Sequence, residues 1–114
     1  MRTLAAVVSS LDPTRAINRH QLSKGDAVVV QTRNSLYRLM TLADGSFVVE
    51  GGWFSQKGRA PSRVGVAGCS FGGSAIWSRV VAAPGLFLEF GNGVRTTRIQ
   101  STWVERRGAR SSIN

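Results

Sequence analysis

The chain has 114 residues, 42% hydrophobic and 18% charged, which suits one folded domain and does not suit a disordered chain. Its formal net charge is +9, with thirteen Arg and two Lys against six acids, and it has one His and one Cys. A single Cys excludes an internal disulfide framework, and no apolar stretch approaches the roughly 20 residues of a membrane-spanning helix.

Leu4–Val8 behind Arg2 resembles the core of a signal peptide, but it is short and no small-residue cleavage site follows. A cytoplasmic location is therefore expected. Residues 1–24 read as an irregular N-terminal segment. Asp12-Pro13 fits a cap followed by Pro at the first helical position, which predicts a short helix over Pro13–Leu22.

Residues 25–105 read as a single β domain. Ala27–Thr32 is the first strand, with Val28, Val29 and Val30 as a buried run. Leu36–Leu42 follows, apolar on both faces. Asp44-Gly45 between two strand patterns predicts a type I′ hairpin turn, which needs positive φ at both residues. Phe47–Glu50 is the returning strand, Gly51-Gly52 closes it, and Trp53-Phe54 leads into a polar loop over Ser55–Ser62. Arg63–Ala67 alternates, with Val64 and Val66 on one face. Gly68–Ser74 is rich in Gly and precedes a strand over Ala75–Val81. In Leu86–Phe90, Leu86, Leu88 and Phe90 point inward, Phe87 and Glu89 outward. Gly91-Asn92-Gly93 is a second hairpin turn. Val94–Val104 is too long to keep one face: its apolar set moves from Val94 to Ile99 and Trp103, which predicts a bulge near Thr97-Arg98. Residues 106–114, with Arg106, Arg107 and Arg110, read as a basic, frayed tail. About seven short strands must cover their edges, so an all-β small barrel is predicted, with a distorted β-sandwich as the alternative.

Catalytic chemistry finds little to work with. Gly68-Cys69-Ser70-Phe71-Gly72 matches the letters of a hydrolase nucleophile elbow, but no His follows Ser70 and the next segment reads as a strand. The six acids, one His and one Cys show no ligand spacing, so no metal and no cofactor are expected. Asp12, Asp26 and Asp44 are taken up by caps and turns. Glu50 and Glu89 are the acids within strands, and Glu89 is expected to be solvated on an outer face. Cys69 reads as a small buried hydrophobe rather than a reactive thiol.

What remains is surface. Trp53, Phe54 and Phe71 lie in or beside Gly-rich segments, Phe87 alternates outward, and Arg33 and Arg38 flank the second strand. These six residues form the candidate interaction surface. Six large aromatics (Trp53, Phe54, Phe71, Trp77, Phe87 and Trp103) are many for one small interior, which predicts a homo-oligomer, a dimer first of all. Aromatics beside Arg are also the ingredients of a single-stranded nucleic-acid platform, where each stacked base adds about 1–3 kcal/mol. Arg grips phosphate bidentately and releases counterions.

In Thr32-Arg33-Asn34-Ser35-Leu36-Tyr37, Glu50-Gly51-Gly52-Trp53-Phe54, Gly68-Cys69-Ser70-Phe71-Gly72-Gly73-Ser74 and Leu88-Glu89-Phe90, the chain resembles a group of short bacterial all-β proteins. Those carry a T-R-N-S-x-Y strand, a G-G segment, a G-x-x-[FW]-G-G-S loop and an L-E-F strand. The resemblance covers roughly Gly25–Val104 and brings no activity with it; it implies only that this stretch is the folding unit. The function expected is a non-enzymatic β module that binds itself or a partner. The alternative is a basic nucleic-acid-binding small barrel.

Overall fold

The computed structural model describes residues 16–107. Ten strands alternate with two short helical pieces in the order β1 (Ile17–Asn18), a 3-10 turn (Arg19–Gln21), β2 (Ala27–Thr32), β3 (Leu36–Thr41), β4 (Phe47–Gly51), α1 (Gly52–Gln56), β5 (Ser62–Val64), β6 (Val66–Ser70), β7 (Ile76–Trp77), β8 (Val80–Ala82), β9 (Phe87–Phe90) and β10 (Arg95–Glu105). The fold is all-β. Within the described part of Pro13–Leu22 there is no α-helix but a two-residue strand and the 3-10 turn; Asp12 and Pro13 lie outside the described residues.

Eight strands pair antiparallel in the order β5-β4-β3-β2-β10-β9-β6-β7, and β1 pairs with β8 as a small ribbon. The hydrogen-bonded ladder ends at β5 and β7, which are three and two residues long. Short edges offer little template for another strand. Only Gly65 separates β5 from β6, so the stretch from Ser62 to Ser70 pairs with β4 at its start and with β9 at its end. Likewise β10 pairs with β9 through Arg95 and Arg98, then with β2 from Ile99 to Glu105. These two shared stretches curl the sheet around one core.

The core follows from alternation. Val28, Leu39 and Val49 stand in one cross-strand row and Val30 pairs with Tyr37; all are buried. From the other half come Val66, Cys69, Leu86, Leu88 and Phe90, and from the ribbon Ile17, Val81 and Ala82. Phe54 fills the centre on α1. It was read as leading into a loop, yet the described residues contain this five-residue helix inside the β domain. The Trp53 N–H donates to the Tyr37 hydroxyl at 3.3 Å, and the Phe54 ring meets Phe90 edge-on at 4.9 Å. Packing, not helix propensity, makes the turn.

The Asp44-Gly45 hairpin forms, but not as a type I′ turn. No described residue other than Gly has positive φ, so Asp44 does not, while Gly45 sits at 86°. The Leu42 N–H donates to the Ser46 carbonyl at 2.9 Å and the Gly45 N–H to the Leu42 carbonyl at 3.1 Å, giving a three-residue loop that ends in a left-handed Gly. Asp44 keeps a conventional backbone and accepts from the Ser46 N–H and hydroxyl at 3.0 and 2.6 Å, which with Arg63 holds its carboxyl down at about 2.

The expected bulge near Thr97-Arg98 appears as a register shift between Arg95 and Arg98. A second shift, between Ile99 and Ser101, reverses the facing of the rest of β10. Ile99 is buried, but Trp103 ends up on the outer surface, 47% exposed.

At the start of β2, the Asp26 carboxylate accepts from the Ser23 N–H at 2.9 Å, the Arg107 N–H at 3.0 Å and the Arg106 guanidinium at 3.0 Å. Arg106 and Arg107, read as part of a frayed tail, are thereby tied to the sheet. Burial alone would raise the Asp26 carboxyl, but the Arg107 and Ser23 amides and Arg106 outweigh it and leave it below its ordinary 3.8. A depressed carboxyl contributes stability that is complete above the ordinary value and is lost as pH falls through the lowered one. Asp26→Asn is expected to cost about 1.5–3 kcal/mol at pH 7. It should also flatten the fall in melting temperature below about pH 4; an acid profile identical to the parent's would show that Asp26 is not the group being titrated.

Candidate functional site

The six candidate surface residues do not form one platform. Phe54 is 1% exposed and belongs to the core; burial, not recognition, is its role. Trp53 is half-buried against it, with the Arg59 guanidinium over its ring at 5.6 Å. Phe71 and Phe87 do come together, at the outer side of β9: the Arg98 guanidinium lies 5.0 Å from the Phe87 ring and 5.6 Å from that of Phe71. Arg33 stands alone and exposed in the turn between β2 and β3. Arg38 lies on the outer face of β3.

Beside Phe71 is a buried polar cluster. Glu89 does alternate outward from Leu88 and Phe90, but it is not solvated, because the loop after β6 folds over it. Its Oε2 accepts from the Ser70 hydroxyl at 2.5 Å and from Arg95 Nε at 2.5 Å. The two terminal nitrogens of Arg95 donate onward to the carbonyls of Gly72 and Gly73, at 2.9 and 3.0 Å. One carboxylate thus gathers a serine, an arginine and the Gly-rich loop. Ser70 is fully buried in a strand with its hydroxyl given to Glu89, so the Gly68–Gly72 match to a nucleophile elbow has none of that motif's geometry. Cys69, also fully buried, donates to the Val81 carbonyl at 3.4 Å, and burial pushes its thiol up to about 12. That is the profile of a packed hydrophobe.

Two of the three exposed large hydrophobic side chains among the described residues, Leu36 and Trp103, stand on the outer face of β2, β3, β4 and β10. Register puts Trp103, Val29, Arg38 and Glu50 in one row, and Glu105, Ala27, Met40, Val48 and Arg63 in the next. Leu36 heads the neighbouring row, paired to Gln31 and 51% exposed. Val29 and Ala27 are buried although they face outward, roofed by the surrounding longer side chains, and Arg38 Nε reaches Glu105 at 3.1 Å across them. With both partners nearly half exposed, that ion pair contributes at most about 1 kcal/mol. Beyond Leu36 the face runs into a groove of about 360 Å³ along α1, lined by Gly51, Ser55, Ala60 and Pro61 as well as Leu36, Arg38 and Glu50.

Charge sorts by face. Of the five acids among the described residues, Asp26 and Glu89 are buried, and the other three, Asp44, Glu50 and Glu105, lie on this sheet face or its rim. There they meet Arg38 and Arg63, the latter paired with Asp44. In a chain of net charge +9, three of the five described acids thus stand beside two arginines on this face. Sequence reading missed Leu36, Trp103, Arg95 and Arg98. The last two were legible as cross-strand partners of Glu89 and Phe87 over the Gly91–Gly93 hairpin.

Among the described residues, no group of three or more His, Cys, Asp or Glu is placed to hold a metal ion, and no helix is long and apolar enough to cross a membrane. Comparison with protein-family models, with curated proteins and with solved structures gives no match to this chain.

Proposed function

We propose that the chain is a non-enzymatic β module that self-associates, and that two copies meet through the outer face of β2, β3, β4 and β10. The observation that carries this is the pairing of two exposed apolar anchors, Leu36 and Trp103, with charges of both signs on one sheet face. An isologous interface sets one patch against its own copy, so residue i meets j and j meets i. Such a patch needs its own complement. Arg38 and Arg63 beside Glu50, Glu105 and Asp44 supply it, whereas a polyanion brought to this face would meet three carboxylates. Trp and Arg are also the residue types that dominate interface energetics when desolvated.

Light scattering at 50 and 500 mM salt tests the reading. Because the anchors are apolar, the same dimeric mass is expected at both salts. Trp103→Glu puts a charge in place of one of the two apolar anchors and should weaken association at least about 30-fold, as loss of a hot spot does. A monomer at both salts in the parent protein would sink the proposal, as would a dimer indifferent to Trp103→Glu.

A further inference from the structure

Away from that face, arginines and a histidine of the described surface line a concavity. Two adjoining hollows meet at Ser78 and Arg79, in the turn between β7 and β8. One, of about 500 Å³, is lined by Arg19, His20, Ser78 and Arg79. The other, of about 410 Å³, continues past Arg79 to Trp77, Ile76, Val80 and Asn18. The first is cationic; the second is aromatic and apolar, with Trp77 half-buried and Ile76 44% exposed.

The cationic hollow is built rather than incidental. The Arg19 N–H donates to the Arg79 carbonyl at 2.8 Å, which fixes the 3-10 turn against the β7–β8 turn. Arg19 Nε and Nη2 donate to the Ser78 carbonyl at 3.2 and 2.9 Å, and Nη2 also reaches the Val66 carbonyl at 2.6 Å. Carbonyls orient this guanidinium without neutralising it, and its Nη1 makes no hydrogen bond among the described residues. The Arg79 side chain is exposed and makes no ion pair or hydrogen bond among them either. Among the described residues, no carboxylate lines either hollow.

Two guanidinium groups and an imidazole around a hollow with no counter-charge among the described residues call for an anion. Planar guanidinium forks match phosphate best. The adjoining wall of Trp77 and Ile76 calls for a flat apolar group one hollow away. A nucleotide unit carries both side by side. We infer that this pair of hollows binds single-stranded nucleic acid, with a backbone phosphate held by Arg19, His20 and Arg79 and the adjacent base laid against Trp77. A single strand is required because bases stacked and paired in a duplex cannot reach an aromatic side chain.

The test is fluorescence anisotropy of a labelled twelve-residue oligothymidylate with the full chain at 50 mM salt, alongside a duplex of equal length and inorganic polyphosphate as competitor. The oligothymidylate should bind, and should be displaced by unlabelled single strand at lower concentration than by duplex or polyphosphate. Arg79→Glu should weaken binding at least about tenfold, whereas Arg33→Glu, the same charge change in the β2–β3 turn, should do much less. Trp77→Leu keeps an apolar side chain against the core, removes the stacking surface, and should weaken binding roughly 5- to 150-fold. Neither Arg79→Glu nor Trp77→Leu should alter the mass measured by light scattering. Absence of binding at 50 mM salt would overturn the inference. So would equal losses from Arg79→Glu and Arg33→Glu, or a Trp77→Leu variant that binds as the parent does, since each leaves only diffuse positive charge.

Discussion

Gly51→Ala is expected to lower the melting temperature by at least about 12 °C, or to leave no soluble protein, while Gly45→Ala lowers it by only about 4–8 °C. The two glycines share a positive φ, 94° and 86°. Either substitution holds an L-residue at positive φ, at a cost on the order of 1 kcal/mol. They differ in what a Cβ would meet. At Gly45, in the hairpin tip, it meets nothing within 4 Å. At Gly51 it would lie 2.1 Å from the Leu36 carbonyl oxygen and 3.2 Å from the Tyr37 Cα. Those are backbone atoms of the paired strand, and they cannot turn aside as a side-chain end can. Moving them would break the Tyr37–Gly51 register and draw Tyr37 away from the Trp53 N–H. The overlap should bring the total to on the order of 3–5 kcal/mol, against a whole stability of about 5–15 kcal/mol for such a domain. Thermal melts of the two variants side by side decide the matter. Equal losses would mean that backbone strain accounts for both and that β3 and β4 do not approach as described. The same contact explains why the residues after β4 can turn into α1 at all: only a residue without Cβ lets β4 end flush against β3.

The strands were legible because their signals are local. Val28, Val29 and Val30, the alternation of Val64 with Val66, and Leu86, Leu88 and Phe90 between Gly-containing turns each report on their own segment, and each is buried or half-buried as that pattern requires. Curling is not local. It depends on β10 changing partners halfway and on β5 and β6 being one stretch interrupted at Gly65, and no window of sequence contains either fact. Helix α1 was illegible for a related reason. Five residues carry no helical period, and Gly52 opens it with a poor helix former. Its cause lies in Tyr37 and Phe90, far away in the chain.

Trp103 and Glu89 were misplaced for reasons of facing and cover. Alternation carries Trp103 inward with Ile99 if only one bulge is allowed, and the second register shift, between Ile99 and Ser101, turns it out. Because side chains alternate with a period of two, each shift reverses every residue beyond it. The outward direction of Glu89 was legible but its burial was not, since the covering loop reaches it through Arg95, whose place opposite Glu89 is fixed by the hairpin. Charge told a coarser story than the fold. A net +9 suggests a uniformly basic object, whereas among the described residues folding buries two acids, gathers three on one sheet face, and leaves the β7–β8 turn with none.

Phe54→Ala should separate a core role from a surface role more sharply than any other substitution at the six candidate positions. Phe54 was read as part of a recognition surface; its ring is instead the plug of the interior. It packs edge-on to Phe90 at 4.9 Å, to Trp53 at 5.2 Å and to Tyr37 at 6.5 Å. Truncating a fully buried Phe removes its transfer free energy and leaves a cavity, together about 3–5 kcal/mol. The neighbours cannot close that gap cheaply: Tyr37 is held by its hydrogen bond to the Trp53 N–H, and Phe90 by its strand, whose N–H donates to the Val94 carbonyl at 2.8 Å. A loss of at least about 12 °C is therefore expected. Phe54→Leu retains most of the volume and should recover much of that loss. If Phe54 served a partner instead, truncation would weaken association and leave the melting temperature unchanged. Unfolding followed by tryptophan fluorescence reads stability, and light scattering on the surviving folded fraction reads association. A large fall in the first with dimeric mass retained in the second places Phe54 in the core and leaves Leu36 and Trp103 as the anchors of the interface; the opposite pattern would return the interface to the region around α1.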